Sequence, residues 1–302
     1  GAGNVTFSQT VDGLSFLQVD AGTGTVTFGG AVGQGTALGG VEIHGGGVTT
    51  QSTFRAAFLT LASSGNVTLG GEVTLSAGEF ASTGTGTATF SNAGAPITTS
   101  AGTITINHPG NITISGALNA GTRPMTLTSS AGSIDLNAAI RATGANVFVT
   151  AATGITSTVG GTITTTGAAG NPGSAGGEVL LRTTGTGNIA LQGSITANGG
   201  NGLGTNAGGG AGGVVTVRSD NGSVTVAGIA SSGGTATGTG AVGAGGIVQL
   251  SAATGIGQQN GTGVSARALK LMSPSGAVIL SQPGNRVSTF AAVAEGTGAF
   301  TL

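Results

Sequence analysis

The chain has 302 residues, of which 64 are glycine and only 6% are charged, and its formal net charge is −1. So balanced a charge gives no broad field to attract nucleic acid or an anionic membrane, and without Trp or Tyr there is no base-stacking platform. The absence of cysteine excludes disulfides, thiol catalysis and thiolate metal sites.

The glycines punctuate short Val/Ile/Thr/Leu runs, and mean hydropathy is +0.34. Disordered chains combine low hydropathy with high net charge, so this composition reads as ordered. No apolar run approaches the ~20 residues of a membrane-spanning helix, and nothing resembles a signal peptide. The chain begins inside a strand phrase, Gly3-Asn4-Val5-Thr6-Phe7. It is therefore expected to be a fragment or a processed product, with export signals outside it.

Over residues 1–100, Val5-Thr6-Phe7, Val26-Thr27-Phe28, Val41-Glu42-Ile43, Leu59-Thr60-Leu61, Val67-Thr68-Leu69 and Val73-Thr74-Leu75 alternate apolar and polar residues. That is the period of half-buried strands. Seven Phe lie here (Phe7, Phe16, Phe28, Phe54, Phe58, Phe80 and Phe90), which predicts a wider core with less regular coils.

From Ile104 the rhythm tightens. Ile104/Ile106, Ile112/Ile114 and Leu118 form one strand triplet, Met125/Leu127, Ile134/Leu136 and Ile140 the next, then Val147/Val149, Ile155 and Ile163. First strands start at residues 104, 125, 147, 179, 215, 248 and 269. The three long steps contain glycine-rich inserts, Gly167–Gly177, Gly199–Gly213 and Gly233–Gly246. Without them each step returns to about 22 residues, so the inserts sit at one recurrent corner. The phrase Gly22–Phe28 is echoed at Gly84–Phe90 and Gly296–Leu302, as though a larger module began again.

Glycine and β-branched residues disfavour helix, and no window has the i, i+3, i+4 pattern. The predicted fold is all-β, a right-handed parallel β-helix (β-solenoid) with coils of about 22 residues and glycine-rich loop insertions. It is read as a single elongated domain over 1–302, less regular and Phe-rich over 1–100 and regularly three-faced over 101–302. Ten to thirteen coils stacked at ~4.8 Å would extend roughly 50–60 Å. Glycine and asparagine are expected at corners for their positive-φ conformations.

No catalytic constellation emerges. A lyase or glycoside hydrolase would need paired carboxylates in a groove. The nine acids, Asp12, Asp20, Glu42, Glu72, Glu79, Asp135, Glu178, Asp220 and Glu295, are dispersed, with Glu72 and Glu79 nearest to a pair. His44 and His108 read as surface or corner histidines without an acidic or histidine partner. No metal site, cofactor site or catalytic residue is therefore assigned. The inserts lack the Gly-Lys-Ser/Thr of phosphate loops and read as tolerated insertions, with lateral packing as the next reading. Arg182 and Arg218 fall at equivalent positions, where Asp220 can relieve their repulsion. Asn4, Asn66 and Asn111 match the glycosylation acceptor pattern but also stand at corners. Thr-x-Thr pairs (Thr103/Thr105, Thr164/Thr166, Thr235/Thr237) raise an ice-binding reading, weakened because they shift between faces.

The phrases Gly65-Asn66-Val67-Thr68-Leu69, Pro109-Gly110-Asn111-Ile112-Thr113-Ile114, Ser130–Leu136 and Ser281–Val287 resemble the strand repeats of large bacterial exoproteins. The nearest group is the filamentous haemagglutinin-like adhesins of two-partner secretion, with autotransporter passengers beside them. That resemblance implies a secreted, extracellular or cell-surface protein with an adhesive, filament or biofilm-matrix role, and no enzyme. Expected partners are other copies, end to end through uncapped terminal coils or laterally, neighbouring segments of a longer chain, and host or environmental surface glycans or proteins. Nucleic acid and a membrane span are not expected. The alternatives are a carbohydrate-active β-helix enzyme and, behind it, an ice-binding solenoid.

Overall fold

The computed structural model describes residues 3–90, 96–294 and 300–301. Of the echoed phrase Gly296–Leu302 only the strand Phe300–Thr301 falls among them, and Glu295 lies outside. Among the described residues there is no helix, and the strands pair in parallel as stacked coils of a β-solenoid. The chain divides into two compact units, Gly1–Ala139 and Ile140–Leu302.

In the first unit, seven short strands stack in order on one face, here called the second face: Val5–Phe7, Thr25–Phe28, Gly47–Thr50, Val67–Leu69, Ala88–Phe90, Ile112–Ile114 and Ser133–Leu136. Successive partners on this face lie 19 to 24 residues apart. The first face stacks Phe16–Asp20, Gly40–Gly45, Leu59–Ser63, Phe80–Gly84, Ile104–His108 and Met125–Ser129. The third carries Phe54–Ala56, Val73–Leu75, Ile97–Thr99 and Leu118–Asn119.

Alternation aims every second side chain inward, so Leu59, Leu61, Ile104, Ile106, Met125 and Leu127 are wholly buried columns of the first face. Each such side chain contributes ~1.5–3 kcal/mol by leaving water. The aromatic enrichment acts as expected at Phe28, Phe54, Phe80 and Phe90, which are fully buried. Phe28 meets Phe54, and Phe80 meets Phe90, edge-on at 5.8 Å. Phe16 instead stays on the outside, 51% exposed. It reaches Phe58, at 6.0 Å between ring centroids, across Gly40, where any side chain would overlap the Phe58 ring.

The second unit repeats the plan. Val147 pairs with Val179, Val179 with Val215, Val215 with Val248, and Val248 with Leu269, which are the strand starts read from the sequence. Second-face partners are 32 to 35 residues apart where an insert intervenes, as in Ile155–Ile189–Val224–Ile256. The spacing returns to 22 for Ile256–Val278, which has none. All three inserts leave after third-face strands (Ile163–Thr164, Ile195–Thr196 and Ile229–Ser231) and re-enter at the first face.

The corners meet expectation for glycine, with positive φ at Gly22, Gly121 and Gly144 among others, but not for asparagine. Among described non-glycine residues only Asn206 has a positive φ, 56°. Most corner asparagines work through their side-chain oxygens, which accept backbone N–H groups of the next coil. Thr25 donates to Asn4 at 2.9 Å, Ser133 to Asn111 at 3.0 Å, and Ser223 to Asn188 at 2.8 Å. Each bond satisfies an N–H that a turn would leave open and ties one coil to its neighbour.

Candidate functional site

Neither histidine matches the sequence reading fully. His44 is half-exposed and has an acidic partner after all, Glu42 Oε1 at 3.1 Å from its Nε2, because residues two apart on a strand share a face. His108 is a corner residue but is completely buried. It occupies the inward corner position that Ser63 and Ser129 fill in other coils of the first unit. Ser63 closes its own turn by donating to the Gly65 carbonyl at 3.2 Å, and Ser129 donates back to the Gly110 carbonyl of the preceding coil at 2.7 Å. His108 instead leans over Gly84 and places Nε2 3.0 Å from Ser82 Oγ. Burial pushes its pKa below the ordinary histidine value.

The carboxylates are engaged locally. Asp12 accepts the Gly35 N–H at 2.9 Å, Asp20 that of Gly22 at 2.9 Å, and Glu72 the Thr74 hydroxyl at 3.0 Å. Glu72 precedes a third-face strand and Glu79 a first-face strand, so the nearest sequence pair is divided between faces. Among the described residues, no three His, Asp or Glu side chains gather as metal ligands would.

Arg182 and Arg218 are register partners, as their spacing implied. Asp220 lies between them, 2.6 Å from Arg182 Nη2 and 2.6 Å from Arg218 Nε. The Arg182 hydrogen bond, more than any other effect, holds the Asp220 carboxyl below its ordinary range despite partial burial.

Two further surfaces emerge, the first not legible along the chain and the second legible only as a corner of unordered loops. In the first unit, Thr6, Thr27, Thr49, Thr68, Thr89 and Thr113 are successive register partners, an unbroken outward column of six threonines that Asp135 continues. The Thr-x-Thr pairs followed in the sequence run along strands, whereas this column runs across coils.

The second surface is the insert corner. The inserts are not passively tolerated loops, because their backbones bond to one another, at every third residue in the first and at two pairs of residues three apart in the second and third. Gly167, Gly170, Gly173 and Gly176 donate to the carbonyls of Asn198, Asn201, Gly208 and Ala211, at 2.9–3.0 Å. Gly199, Gly202, Gly209 and Gly212 in turn donate to Ser232, Thr235, Ala241 and Ala244, at 2.8–2.9 Å. Each insert also closes on itself, as in Gly177 to Thr165 and Gly213 to Ala197, both 2.7 Å. Each limb of an insert thus bonds across to other limbs, of its own or a neighbouring insert, which is the habit of extended, polyproline-II-like chains.

Close backbone approach explains the glycine. A methyl on Gly200 would overlap the Ala168 carbonyl, and one on Gly210 the Ser174 carbonyl. The signal was present in Gly167-Ala-Ala-Gly170-Asn-Pro-Gly173-Ser-Ala-Gly176, a strict glycine triplet period.

The chain matches no family model, and no curated protein or solved structure is significantly similar to it.

Proposed function

We propose that the chain is a non-enzymatic structural and adhesive segment, a rigid β-solenoid that holds contact surfaces outside a bacterial cell. The observation that carries this reading is the division of labour in each unit. Apolar residues fill the inward columns, while the outward positions are chiefly short hydroxyl and amide side chains, with a few apolar ones such as Phe148 and Met272, and the charged residues are mostly paired or capping. A sheet stacked on itself is stiff and leaves few backbone groups open to protease, which suits a scaffold. The extracellular setting and the surface glycan or protein partners rest on the strand-phrase resemblance. Beads coated with the purified chain should adhere to cell-surface or mineral targets above beads coated with an unrelated β-protein. Equal adhesion, or turnover of any member of a polysaccharide panel by the chain, would overturn the reading.

One observation favours a second reading. Six threonines at the ~4.8 Å coil spacing form a regular row of hydroxyl and methyl groups that could order water, as in an ice-binding face. Thermal hysteresis that Thr68→Lys abolishes would establish it, and freezing-point behaviour identical to a control protein would dismiss it.

A further inference from the structure

The glycine-rich array has polarity. In the middle insert, each residue that accepts from the first insert is followed by one that donates to the third: Asn198 then Gly199, Asn201 then Gly202, Gly208 then Gly209, Ala211 then Gly212. The third insert accepts at Ser232, Thr235, Ala241 and Ala244. Its next donors in the pattern are therefore Gly233, Ala236, Val242 and Gly245. Among the described residues none of these four N–H groups has a backbone acceptor.

The following coil carries no insert, so the layer that would receive them is missing. A cleft of about 510 Å³ opens there, between Gly233 and Gly245 on one side and Ser265, Arg267 and Arg286 on the other. Val242 is 72% exposed at the outer end of this edge.

The opposite edge carries the complement. The carbonyls that precede the first insert's donors belong to Thr166, Ala169, Pro172 and Ala175. Among the described residues only that of Thr166 is used, by the Gly144 N–H at 2.9 Å. One edge thus offers N–H groups, in two pairs three residues apart on either side of the insert's tip, and the other offers C=O groups every third residue, the same match that the first insert makes with the second.

We infer that the Gly233–Gly245 edge is a docking site for a second copy of this chain, which adds the carbonyl edge of its first insert, Ala169–Ala175, as a fourth layer. An unpaired backbone edge is a template for another chain, and here the matching template is supplied by the same sequence. Because the two edges differ, the contact is heterologous and propagates. The inference does not depend on adhesion to any other surface.

Proline keeps the extended three-residue-per-turn conformation while removing the N–H, so Ala236→Pro/Val242→Pro deletes two outer donors with little change to the array. In sedimentation velocity over a concentration series, the native chain should self-associate, and the double proline variant should do so about tenfold or more weakly. Val242→Thr, which keeps the N–H, should associate like the native chain. Since the chain has no cysteine, Ala169→Cys/Ala236→Cys, the pair that this register places opposite one another, should give a ladder of disulfide-linked multimers on mild oxidation, and each single variant no more than dimers.

Should the prolines disturb the array, amide exchange on the native chain decides. Ala236 and Val242 must become protected as concentration rises. A chain that stays monomeric, prolines without effect, or equal loss in Val242→Thr would each overturn the inference. So would binding of a glycine- and proline-rich peptide without self-association, which would make another protein the occupant.

Discussion

Gly84 lies directly beneath His108, and a methyl group at Gly84 would overlap both the His108 ring and the carbonyl oxygen of Ser63. The two residues form one unit. The glycine vacates a corner so that an imidazole can occupy the space two serines would take, and Ser82 turns its hydroxyl inward to meet Nε2. Gly84→Ala should therefore destabilise the fold by about 1–3 kcal/mol, the usual cost of overpacking, as measured by chemical denaturation.

The same pocket makes stability pH-dependent. Burial lowers the folded-state pKa of His108 from 6.5, so the unfolded chain binds that proton more readily. The contribution is intact above 6.5 and is lost progressively as pH falls below it, until the folded imidazole titrates. Thermal melting should drop between neutral and mildly acidic pH in the native chain, and this slope should flatten in His108→Ser, which restores the corner residue of neighbouring coils.

Asp220 works at the other end of the pH scale. Its pKa is held below the ordinary 3.8, so its contribution persists above that value and disappears as pH falls through the lower folded-state pKa. Asp220→Asn leaves the stacked Arg182 and Arg218 without a counter-charge. It should cost about 1–2 kcal/mol, allowing for the partial exposure of both arginines, and the loss should shrink with added salt.

Within the array, position rather than composition decides what glycine does. Gly210→Ala drives a methyl into the Ser174 carbonyl, whereas Ala168→Gly alters an exposed residue. Limited proteolysis should cleave the inserts of the first variant many times faster than those of the second.

The coil plan was legible because its signal is local. Val179, Val215, Val248 and Leu269 each open an alternating run, and their spacing shows the inserts as interruptions. Phe80–Gly84 is faint in the sequence because its second inward residue is Ser82, polar for the sake of a histidine 26 residues later. Ala88-Thr89-Phe90 is faint too, since alanine weakens the alternation. The threonine column was hidden for a different reason: its members are 19 to 24 residues apart, and only strand register aligns them. The inserts looked like filler because glycine has no side chain through which to announce a contact, and their order resides in backbone bonds with a triplet period. His44 and Glu42 were adjacent enough to pair on sight, and the strand's two-residue repeat is the physical reason they do.

Residue-resolved amide hydrogen exchange at low concentration tests the central claim, an all-parallel solenoid with a bonded glycine array, most directly. Gly167, Gly170, Gly173, Gly176, Gly199, Gly202, Gly209 and Gly212 should exchange slowly, in step with the buried first-face strands. Gly233, Ala236, Val242 and Gly245 should exchange fast. Uniformly fast exchange across all three inserts would contradict it.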